Sequence, residues 1–422
     1  MSPRLRGWGI AGLCVGLALL GVFATSQVKA SKEQSELDHE LDLARKAGLP
    51  TTPEEFEATL PVAKLEDNAA PVLGILGSKA VPLIKDREEL AYRLTFAPDD
   101  ATKKTVRDEL AKQDYYLRLG DACCQKLTYR ALRDYSLGAA IPLPDTSQLK
   151  NIANLFLLRA RLQDAEGHPE RALADISRAR RLATFATSDC MMIMRVIGEG
   201  MEMSSLQTLA ELTFKHRDNE QYREAFQRIA ETVAVLDVRD DYRFDLVEVL
   251  SLIRLCETEQ GRRQLGLTAE DSAIPPAGQA LSKLQSPLVA KAKIVRGTRM
   301  KWEALAEEDG ARYAAGLREM WQGMVSFPLA AKVIEPIDND ASEPGLPEIL
   351  YSRRANVLKW RAAARALAGT VVPQQIKTDD LVSPYDSKPI RYAFDGHQIE
   401  ISTGGGGQLM IPDVPKSLAK RG

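Results

Sequence analysis

Nineteen consecutive residues without a charge, Gly7 to Thr25, follow Arg4 and Arg6 at the start of this chain. No other feature constrains the molecule as much. At 1.5 Å of rise per residue, a helix over that run just reaches across a hydrocarbon core of about 30 Å. The run also exceeds the apolar stretch of about 7–15 residues in an ordinary cleaved signal. Residues 1–25 therefore read as a membrane anchor or signal peptide, with the uncleaved single-pass anchor fitting the length better. Cleavage at a small-x-small site, Val22-Phe23-Ala24 or Ala24-Thr25-Ser26, is the alternative and leaves a secreted or periplasmic body. Arg4 and Arg6 favour a cytoplasmic N-terminus, against which Lys29 and Lys32 weigh on the other flank. The body is thus expected outside the cytoplasmic membrane. Gly12 and Gly16 form a GxxxG pair, a candidate surface for packing against another membrane helix. A lipid-modified cysteine does not fit, because Cys14 lies mid-run behind the bulky Leu13.

The chain has 422 residues, too many for one compact core, and this predicts two or three units. Aromatics are only 6% of a composition rich in Leu, Ala, Arg and Glu, which favours helices over sheets. The net charge of −2 supplies no basic field for nucleic acid. The fold class is read as mainly α: an N-terminal membrane helix, a multi-helix body of antiparallel hairpins and a small C-terminal β-hairpin. Residues 26–50 read as a polar stalk or short helix and 51–140 as an N-terminal helical region. Residues 141–370 form the main helical body, 371–403 a β-hairpin element and 404–422 a flexible tail.

Within that scheme, Thr52-Pro53-Glu54-Glu55 predicts a helix start with a capping box. Leu90, Leu94, Leu110, Tyr116, Leu117 and Leu127 are the expected inward positions of the N-terminal region. Helices are predicted over 151–165 and 170–183, joined by Gly167-His168-Pro169. Further helices are predicted over 190–216, 219–235, 240–265, 287–325 and 349–367. In the last, Val357 and Trp360 face inward, and Arg353, Arg354, Arg361 and Arg365 are taken as mostly solvated. Loops are expected over 272–286 and 335–347. Near the end, Asp395-Gly396 supplies a two-residue turn. That turn pairs Phe394 with His397, Tyr392 with Ile399 and Ile390 with Ile401, and sets Arg391 opposite Glu400.

The spacing Gly167, Ala172, Ala179 resembles the second half of a tetratricopeptide unit, although no second copy follows at 34 residues. Three further blocks resemble a group of uncharacterised bacterial membrane-anchored helical proteins. They are Arg45–Pro50 with Thr52–Glu55 and Glu66–Pro71, then Glu166–Leu173, then Ser383–Tyr392. That resemblance implies an anchored, exported helical body with a terminal hairpin and implies no activity. The Ser383–Tyr392 block also resembles the C-terminal element of type II secretion pseudopilins. Ser383 stands where those carry Asp, however, and Gly404–Gly407 stands where a calcium loop needs acids. The pilin glutamate just inside the apolar helix is missing too, so the chain is not read as a pilin.

No motif amounts to an active site. His216-Arg217-Asp218 lacks the kinase-loop Asn, with Arg223 in its place, and Ser147-x-x-Lys150 lacks the partner motifs of penicillin-binding enzymes. The four histidines, at 39, 168, 216 and 397, include no helical metal pair, and no CxxC exists among five cysteines. Gly404–Gly407 lacks the Lys-Ser/Thr of a phosphate loop. No catalytic, cofactor-binding or metal residue is therefore assigned and no cofactor is expected. Arg171, Arg178 and Arg181 mark the densest basic face and a candidate interaction surface. The expected function is a non-catalytic, membrane-tethered interaction or scaffold protein, held by residues 7–25 and engaging a protein partner through its helices. An exported enzyme with a dispersed site, or an accessory part of a secretion or pilus-like assembly, is the alternative.

Overall fold

The computed structural model describes residues 3–75, 81–142, 146–233, 235–267, 286–331, 346–368, 381–394, 398–403 and 408–412. Sixteen α-helices and three strands fall among them. The first eight are α1 (Pro3–Lys46), α2 (Pro53–Thr59), α3 (Ala70–Gly74), α4 (Arg87–Phe96), α5 (Asp100–Lys112), α6 (Asp114–Cys124), α7 (Thr146–Ala165) and α8 (Pro169–Thr187). Then come α9 (Met192–Lys215), α10 (Glu220–Thr232), α11 (Arg239–Tyr242), α12 (Asp245–Glu257), α13 (Glu259–Gln264), α14 (Pro287–Glu307), α15 (Gly310–Met324) and α16 (Leu346–Leu367). Strands β1 (Arg391–Phe394), β2 (Ile399–Ser402) and β3 (Gln408–Ile411) close the order. The chain is mainly helical with one small antiparallel sheet, as expected. Among the described residues no helix is long and apolar enough to cross a membrane. The Gly7–Thr25 run and the Gly12–Gly16 pair lie in or border residues 3–24, whose side chains are outside the described set.

The chain forms two compact units that interleave along the sequence. Unit 1 takes residues 1–59, 134–141 and 243–346, and unit 2 takes 60–133, 142–242 and 347–422.

In unit 1 the stretch expected to be a stalk is mostly the second half of α1. Leu37, Ala44 and Leu49 are buried there with Leu246, Ala292, Val295 and Trp302. The reason is the recurrence of Leu37, Leu41 and Ala44 at helical spacing within an otherwise charged segment. Glu40 accepts hydrogen bonds from Arg296 Nε at 2.8 Å and Arg299 Nη2 at 3.1 Å, and Trp302 Nε1 donates to the Ala47 carbonyl at 2.9 Å. Phe56, Tyr135 and Phe244 form a ring trio with centroids 4.8–5.7 Å apart. The predicted capping box is half met. The Glu55 amide donates to Thr52 Oγ1 at 3.2 Å, but the Glu55 carboxylate reaches back to the Thr51 amide at 2.8 Å, one residue earlier than expected. The predicted 287–325 helix is two, broken at Asp309, whose carboxylate caps α15 at 3.0 Å from the Ala311 and Arg312 amides. These two helices touch backbone to backbone. A Cβ added at Gly316 would lie 2.7 Å from the Gly297 carbonyl, and one at Gly323 would lie 2.6 Å from that of Ala290.

Unit 2 is built on one continuous core. The hairpin α7–α8 turns at Gly167, whose φ of +81° suits glycine. Ala172 and Ala179 are fully buried on α8. Next, α9 and α10 turn through His216–Asn219, and Asn219 caps α10 by accepting from the Gln221 amide at 3.0 Å. Leu94, Leu110 and Leu117 are buried as predicted, but Leu127 is exposed because α6 stops at Cys124. The predicted 240–265 helix divides into α11, α12 and α13, the last opened by a Thr258 cap at 3.0 Å from the Gly261 amide.

The hairpin register differs from expectation by two residues. Phe394 faces Ile399, Tyr392 faces Ile401 and Ala393 faces Glu400, so Arg391 stands opposite Ser402. Four residues rather than two separate the strands. A shift of two preserves the faces, and Ile399 and Ile401 are buried as expected. The tail reading over 404–422 is corrected as well, since Gln408–Ile411 pairs antiparallel with β2. An apolar Leu-Met-Ile stretch completes the unpaired edge that a lone hairpin leaves open. The loop readings over 272–285 and 335–345, His397 and Gly404–Gly407 lie outside the described residues.

Candidate functional site

Helix α9 carries Val196, Glu199, Gly200 and Met203 along one face at helical spacing, and this face forms one wall of a cleft of about 460 Å³ in unit 2. Ala183, Thr184 and Thr187 of α8 face it, the exit of α10 adds Val233, Val235 and Leu236, and α16 contributes Arg353, Asn356 and Val357. The mouth is apolar. Val196 is 50% exposed and Val235 42% exposed, with Met192 and Ile193 exposed one turn earlier on α9.

Its charges balance. Arg180 binds Glu202 bidentately, Nη2 to Oε1 at 2.7 Å and Nε to Oε2 at 3.2 Å. Deeper, Asp241 ties Arg195 Nε at 2.6 Å to Arg353 Nη2 at 2.6 Å. The same Arg353 nitrogen lies 2.6 Å from Glu199 Oε1. That contact lacks hydrogen-bond geometry, so Glu199 Oε1 and Arg353 Nη1 are buried polar atoms without hydrogen-bond partners. Burial pushes the Glu199 carboxyl above its ordinary value; Arg353 pulls it down and Asp241 pushes it up again. The site thus sets a buried, internally paired set of charges behind an apolar mouth.

Sequence reasoning placed Val357 and Trp360 inward, and both are buried. It took Arg353 as solvated, whereas its side chain is 11% exposed and ion-paired. The available signal was spacing: Arg353 is four residues before Val357 and shares its face. Glu199 gave no signal, because its partners come from 42 and 154 residues further along the chain.

The basic face predicted from Arg171, Arg178 and Arg181 does not form one free patch. Arg178 pairs with Asp121 at 2.7 Å and Asp175 at 2.9 Å. Arg181 donates to the Lys126 and Leu127 carbonyls, both at 2.8 Å, and lies over the Phe185 ring. Arg171 is exposed. His216 stacks on Tyr222 and contacts Asp164 at 3.0 Å. Among the described residues no cluster of His, Cys, Asp or Glu suits a metal ion. Cys123, Cys124, Cys190 and Cys256 form no disulfide among the described residues. Comparison with family models, with curated proteins and with solved structures finds no match to this chain.

Proposed function

We propose that this chain is a non-catalytic interaction protein. Residues 7–25 tether it to the cytoplasmic membrane, and its extracytoplasmic body takes an uncharged apolar segment of a partner protein into the α8–α9–α10–α16 cleft. The observation that carries this reading is the cleft's pairing of an apolar mouth with charges that are balanced inside the fold. The internal balance of Arg180 and Arg353 against Glu202 and Glu199 favours an uncharged occupant. Buried Ala172 and Ala179 fit the tetratricopeptide-like spacing of the α7–α8 hairpin, an architecture suited to presenting helical faces to peptides. The uncharged run behind Arg4 and Arg6 supports the tether.

The test places a photo-crosslinking residue at position 196 of the full chain in intact spheroplasts, with position 171 as the control. Adducts from 196 that map to an apolar, uncharged peptide and are digested by externally added protease are the expected result. Adducts no more frequent than from 171, or protected from protease, contradict the proposal. Glu199 favours one second reading, since a carboxyl raised by burial in a cleft is how general acids are arranged. Under that reading Glu199→Gln abolishes turnover and leaves binding intact.

A further inference from the structure

A second cleft of unit 2, also about 460 Å³, opens between α4, α7, α9 and α16, with Leu409 of β3 at its edge. Its floor is a closed polar network. Arg161 donates from Nη1 to Thr95 Oγ1 at 2.6 Å and from Nη2 to Thr208 Oγ1 at 3.1 Å, and pairs with Glu211 Oε2 at 2.7 Å. Gln207 Nε2 donates to Glu211 Oε1 at 2.9 Å and to the Met410 carbonyl at 3.1 Å. The donors of Arg161 are therefore committed within the fold.

Arg87 is different. It lines the same cleft from the first turn of α4, is half-buried, and has no hydrogen bond or ion pair among the described residues. Glu88, its neighbour in sequence, lines the same cleft and is exposed to water. Burial and the nearby Arg161 charge both disfavour the cationic form of Arg87, with Glu88 opposing them in part. A guanidinium does not shed its proton in a protein, so Arg87 sets a fixed positive charge with open donors on the cleft wall. A single free guanidinium presents two parallel N–H groups, the spacing of a carboxylate. A guanidinium forks a phosphate as well, so the choice of a carboxylate rests on the apolar surface beside the charge and on Arg161 being engaged elsewhere. Beyond the charge, Ala91, Leu157 and Leu158 supply an apolar wall.

We infer that this second cleft binds a small organic carboxylate, its head group forked by Arg87 and its apolar body lying along Ala91, Leu157 and Leu158. The experiment uses the full chain in nanodiscs, with benzoate and hexanoate as probes, benzamide as the uncharged control and inorganic phosphate at matched ionic strength. Readouts are the melting temperature and the fluorescence of Trp360, which lines the cleft. A carboxylate probe is expected to raise the melting temperature and change the Trp360 signal, while benzamide does neither. Arg87→Gln, which breaks no hydrogen bond or ion pair among the described residues, is expected to weaken probe binding by about tenfold or more. Ser204→Trp, which fills the exposed rim, is expected to abolish it. The inference is overturned if both carboxylates are inert, if phosphate binds as tightly, or if Arg87→Gln binds as the parent does.

Discussion

The two units of this protein use glycine crossings and buried arginine pairs in different proportion, although Gly198 of unit 2 also meets the α8 backbone and Glu40 of unit 1 also holds two arginines. In unit 1, α14 and α15 approach until Gly297 and Gly316 touch backbone to backbone, and the space between them is closed. In unit 2, the helices around α9 are tied by long charged side chains that meet in buried pairs: Arg133 with Asp189, Arg159 with Asp175 and Arg195 with Asp241. Arginine reaches far from its helix, so packing through it leaves room beside the contact. Both clefts described here lie in unit 2.

The sharpest way to break this contrast is to add bulk at the seam. Gly316→Val puts branched carbons against the Gly297 carbonyl and the Lys301 amide, and is expected to cost about 3 kcal/mol or more. Hydrogen exchange over residues 287–324 reads it as lost protection; unchanged protection means the seam has slack. The matching test in unit 2 is Arg133→Met. Arg133 and Asp189 are 5% and 2% exposed in their side chains, so removing the arginine strands a buried carboxylate at about 3–5 kcal/mol. Adding Asp189→Leu to that variant is expected to recover most of the loss in urea unfolding, and no recovery contradicts the pairwise account.

A smaller effect is read through the pH dependence of unit 2. Burial alone raises the Asp164 carboxyl, but hydrogen bonds from His216, Lys215 and Tyr222 outweigh it and hold the group below its ordinary 3.8. Such a carboxyl stabilises the fold fully above pH about 4 and loses that contribution as pH falls through the folded value. Asp164→Asn is therefore expected to lower stability by about 1–2 kcal/mol at neutral pH and to flatten its acid dependence below pH about 4. An unchanged acid limb contradicts this role. The least effect is in thiol chemistry. Burial first of all pushes Cys256 of unit 1 to about 11 and Cys123 and Cys124 of unit 2 to about 12. Cys256 is expected to label about tenfold faster than either at the same pH, and equal rates contradict the ordering.

What the sequence made legible follows the range of the interactions. Helices α7, α8 and α10 were readable because their periodicity and caps are local, as at Gly167 and Asn219. The hairpin faces were readable for the same reason, though not the register, which depends on a loop length that Asp395-Gly396 did not dictate. The interleaving of the units was not readable, because residues 134–141 join unit 1 through pairings such as Tyr135 with Phe56 and Phe244. The site was the least legible part. Glu199, Asp241 and Arg353 meet across 154 residues of chain, and each alone resembles an ordinary solvated charge.

The most direct test of the central claim, that the α8–α9–α10–α16 cleft is the binding surface, is to fill it. Gly200 lines the cleft, and a Cβ there meets nothing within 4 Å, so Gly200→Phe occupies the space without displacing the fold. Adduct formation from position 196 is measured in this variant alongside its melting temperature. The account predicts loss of the adduct with melting unchanged or raised. An undiminished adduct at unchanged melting contradicts it.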